Sequence, residues 1–221
     1  MKHKTCVSIA EKTPARIKRA LDLALSKSDY AEIRLDHVKS IQIPDALELV
    51  KKRLGRTVCT IRPKSEGGAF SGTEKERVSI LKLASEYDPF LLDVELDTLK
   101  KNPGLASYLK GADLLVSWHD FEKTPGSAEL GRKMSQIAKF SSNIKMACTA
   151  RTANDATRML ELYSKRGRNS LISFAMGDQG RFSRILCLYL GSPYTYVSLG
   201  RPVAPGQFSV DEVRRIAGLR V

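Results

Sequence analysis

The sequence predicts an α/β fold, a single (β/α)8 barrel of parallel strands forming one domain over residues 1–221. Three observations predict it. Short runs rich in Val, Ile and Leu alternate with longer amphipathic stretches from end to end, the pattern of βα units rather than of hairpins. Eight such runs fit within 221 residues, an ordinary size for one compact barrel. No G-x-G-x-x-G turn follows the first run, so the rival open, doubly wound sheet lacks its phosphate-binding loop.

The first strand is read at Cys6 to Ala10. In the following TPARIKRALDLALS, Thr13 stands at the N-cap, Pro14 takes the first helical position, and Ile17, Leu21, Ala24 and Leu25 recur at helical spacing. The second strand, Tyr30 to Asp36, alternates Glu32, Arg34 and Asp36 with Ile33 and Leu35, so its two-residue period puts three charges on one face. That face looks into a barrel or, on an edge strand, into solvent. The third strand, Thr57 to Arg62, runs into Glu66 and the paired Gly67 and Gly68, which permit a turn other residues resist. TEKERVSILKLASEY places Val78, Leu81 and Ala84 on one helical side before the fourth strand, Phe90 to Glu95.

In the fifth strand, Leu114 to Asp120, Ser117 and His119 share a face opposite Trp118, and Thr124 and Pro125 then repeat the Thr-Pro helix start. The sixth strand, Asn143 to Thr149, puts Lys145 on a face with Asn143 and Ala147. After the seventh, Ser170 to Met176, a loop holding Gly177 and Gly180 feeds a helix with Ser183 and Arg184. Such a loop can hold a phosphate, but its spacing fits neither nucleotide fingerprint, and an arginine set for a carboxylate is the simpler reading. The eighth strand, Thr195 to Leu199, leads to GRPVAPGQF with Gln207, and SVDEVRRIAGL closes the chain with Ser209 and Glu212 at capping-box spacing. Eight units in this order make a TIM barrel, whose functional side chains belong at the C-terminal ends of strands and in the loops beyond them.

Composition narrows the function. No apolar run is long enough to span a membrane, and the N-terminal stretch is too short for a signal-peptide core, which predicts a cytoplasmic protein without membrane attachment. Cys6, Cys59, Cys148 and Cys187 are far apart and read as reduced core residues, with neither disulfide nor metal spacing. A net charge of +13 raises nucleic acid as a partner, but the basic residues are spread along the chain, and solubility or the steering of a small anion accounts for them.

Lys145 is the residue out of place. An ammonium in an apolar strand costs several kcal/mol unless it is paired, neutralised or snorkelling to solvent. A lysine shielded from water also loses ammonium character and can attack a carbonyl carbon to form a Schiff base. Glu32, Arg62, His119, Lys145 and Arg184 fall on or just beyond successive strands, and a histidine titrates where a general acid and base must.

These residues carry a family resemblance. EIRLD from Glu32, TIRPKSEGG from Thr60, SWHDF from Ser117, IKMA from Ile144, MGDQGRFSR from Met176 and APGQ from Ala204 occur in the order found in type I 3-dehydroquinate dehydratases, which the chain resembles over essentially its whole length. The resemblance implies dehydration of 3-dehydroquinate to 3-dehydroshikimate with no cofactor and no metal. It implies that Lys145 forms the imine with the substrate ketone, that His119 moves the protons, and that Glu66 orients His119. It assigns the substrate's hydroxyls to Glu32, Arg34 and Arg62, its carboxylate to Arg184 and Gln207, and a further contact to Ser8. Val203 departs from the family serine four residues before Gln207, which removes one hydroxyl contact. A homodimer is left open. Another Schiff-base barrel enzyme such as an aldolase would share Lys145 but not the His119 and Glu66 pair, and a nucleic-acid-binding protein would show a steep salt dependence.

Overall fold

A computed structural model describes residues 3–218. The described residues divide into two compact units, Val7–Leu115 and the remainder, with β1 and β5 crossing the boundaries.

From β1 (Thr5–Ile9), the first unit proceeds through α1 (Pro14–Lys27), β2 (Tyr30–Arg34), α2 (Ile43–Val50), β3 (Thr57–Thr60), α3 (Glu74–Ser85), β4 (Leu91–Glu95), α4 (Leu96–Lys101) and α5 (Pro103–Tyr108). β2, β3 and β4 pair in parallel, with Arg34 beside Thr60 and Thr60 beside Asp93. All residues of β3 and β4 are buried, as in parallel strands covered on both faces. α1 turns Ile17, Leu21 and Ala24 of its predicted stripe inward, and leaves Leu25, the fourth, half-buried.

Beginning with β5 (Leu114–Asp120), the second unit continues with α6 (Ser127–Ile137), β6 (Asn143–Thr149), α7 (Ala153–Lys165), β7 (Ser170–Met176), α8 (Ser183–Tyr189), β8 (Thr195–Ser198), β9 (Phe208–Ser209) and α9 (Val210–Ile216). β6 and β7 pair in parallel along seven residues, with Lys145 beside Ile172. β8 and β9 pair at Val197–Phe208 and Ser198–Ser209.

Several expectations shift. Asp36 is not on the second strand, which ends at Arg34; it sits in the 3-10 turn Leu35–His37. The Thr124–Pro125 start is wrong, because α6 begins at Ser127 and the Thr124 hydroxyl donates instead to the Thr149 carbonyl at 2.9 Å. Thr13 precedes Pro14 as predicted, but its side chain makes no cap bond. On α3 the buried face is Arg77, Ile80, Leu81 and Ala84, with Val78 only half-buried. β9, a two-residue strand, carries no periodicity that a sequence could show. The Ser209–Glu212 capping box forms, and α9 ends at Ile216; Leu219 of the predicted helix lies outside the described residues. Among the described residues, no helix is long and apolar enough to cross a membrane, and the four cysteines are buried and unbridged.

Candidate active site

In the first unit, Glu32 on β2 is buried, and each of its carboxylate oxygens accepts a hydroxyl: Oε2 from Ser8 at 2.9 Å and Oε1 from Thr60 at 2.9 Å. Neighbouring parallel strands supply both donors. A buried carboxylate must be paired or hydrogen-bonded, and two hydroxyls contribute here, with the charges of Arg34 and Arg62 nearby. Arg34 grips Asp36 through Nε at 2.8 Å and Nη2 at 2.7 Å. Asp36 also accepts the Ala69 amide at 2.9 Å, tying the end of β2 to the loop after β3. Burial pushes the Asp36 carboxyl up, but the hydrogen bonds and charge of Arg34 and the Ala69 amide outweigh it and leave it below the ordinary carboxylate range.

Arg62, two residues beyond β3, is buried and splits its guanidinium between two carboxylates of β4, Asp93 at 2.5 Å and Glu95 at 2.8 Å. Arg77 of α3 takes the other oxygen of Glu95 at 2.7 Å, and also donates to Glu74 and Thr98. The chain turns back over Arg62 at Gly67, whose φ of 73° is left-handed, and at Gly68, where an added Cβ would lie 1.9 Å from the Arg62 carbonyl oxygen. This turn sets Glu66 down half-buried within the field of Arg62. Burial drives the Glu66 carboxyl up to about 8, with Glu95 and Asp93 adding to the rise and Arg62 opposing it.

In the second unit, Lys145 is third in β6 and buried, and its Nζ lies 4.4 Å from the centroid of the Tyr196 ring on β8. An aromatic face attracts a cation in a site where water is scarce. Tyr196 is itself set by Tyr194, whose ring meets it edge-on at 5.5 Å. His119 is next to last in β5, half-buried, with its ring 6.1 Å from that of Phe121.

Arg184 sits at the start of α8 and is only 2% exposed, yet among the described residues it has no carboxylate partner. Its guanidinium lies 4.2 Å from the centroid of the Phe174 ring, Nη2 donates to the Pro205 carbonyl at 2.9 Å, and Nε is buried without a hydrogen-bond partner. Desolvation lowers its pKa to about 10. A buried cation without an acid suits an incoming anion. The same loop holds Gln207, whose Oε1 accepts the Val203 amide at 2.9 Å. At Gly206, φ is +71° and an added Cβ would come within 3.1 Å of the Gly177 carbonyl oxygen, so any other residue there would be strained and crowded.

The structure thus joins Ser8 to Glu32, Glu66 to the surroundings of Arg62, and Arg184 and Gln207 to one loop. Ser8 was expected on the substrate; its hydroxyl proton goes to Glu32. Arg34 was expected on a ring hydroxyl; two of its nitrogens are engaged by Asp36. Sequence reading missed Thr60, Arg77, Asp93, Glu95, Phe174 and Tyr196. Asp93 and Glu95 carried a signal, alternating with Leu92 and Val94 in LLDVE as the charges of EIRLD do. Tyr196 and Phe174 carried none, because an aromatic in an apolar strand reads as core. Among the described residues no group of three or more His, Cys, Asp or Glu could hold a metal ion.

A family model described as type I 3-dehydroquinase matches residues 5–220. The chain is 35% identical to a 3-dehydroquinate dehydratase of Methanocella arvoryzae, over 98% of each chain. It is 32% identical to one of Methanopyrus kandleri, over 96% of this chain and 98% of that one. Among solved structures, 3-dehydroquinate dehydratase of Geobacillus kaustophilus superposes with a TM-score of 0.89 at 22% identity, covering 99% of this chain and 91% of the other. That of Aquifex aeolicus superposes at 0.79 with 27% identity, covering 99% and 100%. The likeness assigns the chain the parallel (β/α)8 TIM-barrel fold that its sequence predicts.

Proposed function

The chain belongs to the type I 3-dehydroquinase family, and from that premise we propose that it dehydrates 3-dehydroquinate to 3-dehydroshikimate through a Schiff base on Lys145. The activity is that of a hydro-lyase of the shikimate pathway. The observation that carries the covalent reading is Lys145 itself, 6% exposed in an otherwise apolar strand with its amine against an aromatic face.

In this reading the Nζ lone pair adds to the substrate's ketone carbon. The ketone oxygen gains two protons and leaves as water, and the C=N nitrogen keeps a positive charge. That cation accepts the electron pair released when His119 removes the adjacent proton. The pair then expels the neighbouring hydroxyl, which His119 protonates as it departs as water. Addition of water to the imine frees Lys145 and a ketone now conjugated with the new double bond.

Glu32, held by Ser8 and Thr60, and Arg62, held by Asp93 and Glu95, would present a fixed acceptor and a fixed donor to the substrate's hydroxyls. Glu66 would orient His119, and Arg34 would reach the substrate with the nitrogen that Asp36 leaves over. Arg184 would take the carboxylate, and Gln207, on the same loop, would contact it as well. One catalytic domain in the cytoplasm, where four buried thiols stay reduced, completes the reading. Incubation with 3-dehydroquinate should give the ultraviolet absorbance of a conjugated enone; no such absorbance from folded protein would sink the proposal.

A further inference from the structure

We propose that Phe174 is a positioning residue for substrate recognition: its ring fixes the plane of the Arg184 guanidinium, and so sets the site's preference for a carboxylate. The inference rests on the reading of Arg184 as the partner of the substrate's carboxylate. Arg184 has an unusually sparse set of restraints for a buried cation. Arg62 and Arg77 are each locked by carboxylates, whereas among the described residues the Arg184 guanidinium has the Phe174 face at 4.2 Å and one bond, from Nη2 to the Pro205 carbonyl. One hydrogen bond leaves a planar group free to swing about it. A ring packed against the guanidinium face removes that freedom and stabilises the charge without using any N–H. Nε is left buried and unpartnered, so the remaining donor capacity lies in a plane that Phe174 defines.

The consequence concerns selectivity. A carboxylate offers acceptors in one plane, and charge-assisted pairing with a guanidinium rewards coplanarity. Phe174 is buried on β7, which pairs with β6 along its full length, so the ring has a rigid base. A carboxylate pays little reorientation cost at a guanidinium already held flat. A neutral ester gains much less from the same alignment, because it brings no charge to the pairing.

The test compares steady-state kinetics on 3-dehydroquinate with inhibition by a non-reactive cyclohexane carboxylate and by its methyl ester. It uses the native chain, Phe174→Leu, Phe174→Tyr, and a chain with pentafluorophenylalanine at 174, which keeps the shape while removing the ring's attraction for a cation. Phe174→Leu and the fluorinated chain should raise KM by roughly 2- to 30-fold, the span of one cation–π contact, with kcat within about threefold. The native preference for acid over ester should shrink by the same factor, and Phe174→Tyr should restore both. Fluorination without effect on KM, or equal weakening of acid and ester binding in the fluorinated chain, would overturn the inference. Absence of turnover in the native chain would instead bring down the functional reading and this inference with it, so the two failures are distinct. The fluorinated chain also covers the case in which Phe174→Leu does not fold.

Discussion

Thr60 donates its hydroxyl to Oε1 of Glu32 at 2.9 Å, so a residue of β3 holds the carboxylate of β2 from the side opposite Ser8. Thr60→Val keeps the shape and removes the donor. The loss should cost roughly 1–3 kcal/mol of stability, because a buried carboxylate loses one of its hydrogen bonds. It should also raise KM more than it lowers kcat, and Thr60→Ser should recover both. Urea unfolding and steady-state kinetics on the three chains check this; an unchanged midpoint in Thr60→Val would contradict the holding role.

Lys145→Met should lose turnover and covalent labelling together. Borohydride added with 3-dehydroquinate should leave a reduced adduct on native Lys145, seen by mass spectrometry of the digested protein. A label on any other lysine would refute the assignment.

His119→Ala separates proton transfer from bond formation. Its kcat should fall by about 10² or more, the usual worth of a positioned acid and base, while borohydride still traps some adduct. Near-native turnover would remove His119 from the mechanism.

Arg77 is predicted to matter for stability. Its Nη1 meets Glu95 at 2.7 Å with both side chains 1% exposed, on the far side of the carboxylate from Arg62. Arg77→Met should destabilise by about 3–5 kcal/mol, the cost of breaking a buried pair from one side, with an unchanged urea m-value. A loss well below 1 kcal/mol would show that Arg62 and Thr98 suffice for Glu95.

Glu66 should make stability depend on pH. Burial holds its folded-state pKa near 8, above its ordinary value of 4.5, so between those limits the folded state keeps a proton that the unfolded state has released. The contribution is complete below pH 4.5 and is lost as pH rises through 8. Glu66→Gln should therefore raise Tm relative to the native chain at pH 8 and have little effect at pH 4. Calorimetric scans at the two pH values decide it, and an equal effect at both would contradict the raised pKa.

The alternation of apolar runs and amphipathic helices was legible because period two and period 3.6 are local properties of a chain. Lys145, His119 and Arg184 were legible because a charge or an imidazole in an apolar strand or at a helix start costs energy and so asks for a reason. What escaped were residues whose role depends on a neighbour distant in sequence. Thr60 is an ordinary strand threonine until Glu32 stands beside it, and Phe174 is ordinary core until Arg184 lies across it. Arg77 shows the reverse: a polar residue on a helix reads as surface, and the carboxylates of Glu74 and Glu95, with Thr98 and the Ile61 carbonyl, explain its burial. The Thr124–Pro125 misreading has a similar cause, since the Thr149 carbonyl that takes the Thr124 hydroxyl is 25 residues away.

The paired glycines after Arg62 lead to a statement about heritable variation. Gly67 is needed for its left-handed φ, a conformation asparagine and aspartate also reach, whereas at Gly68 any β-carbon at all would collide with the Arg62 carbonyl oxygen. Two identical adjacent residues therefore face different selection. In a saturation library screened for growth without the pathway's product, codon 67 should retain a short list of alternatives and codon 68 none, although neither side chain could take part in the chemistry.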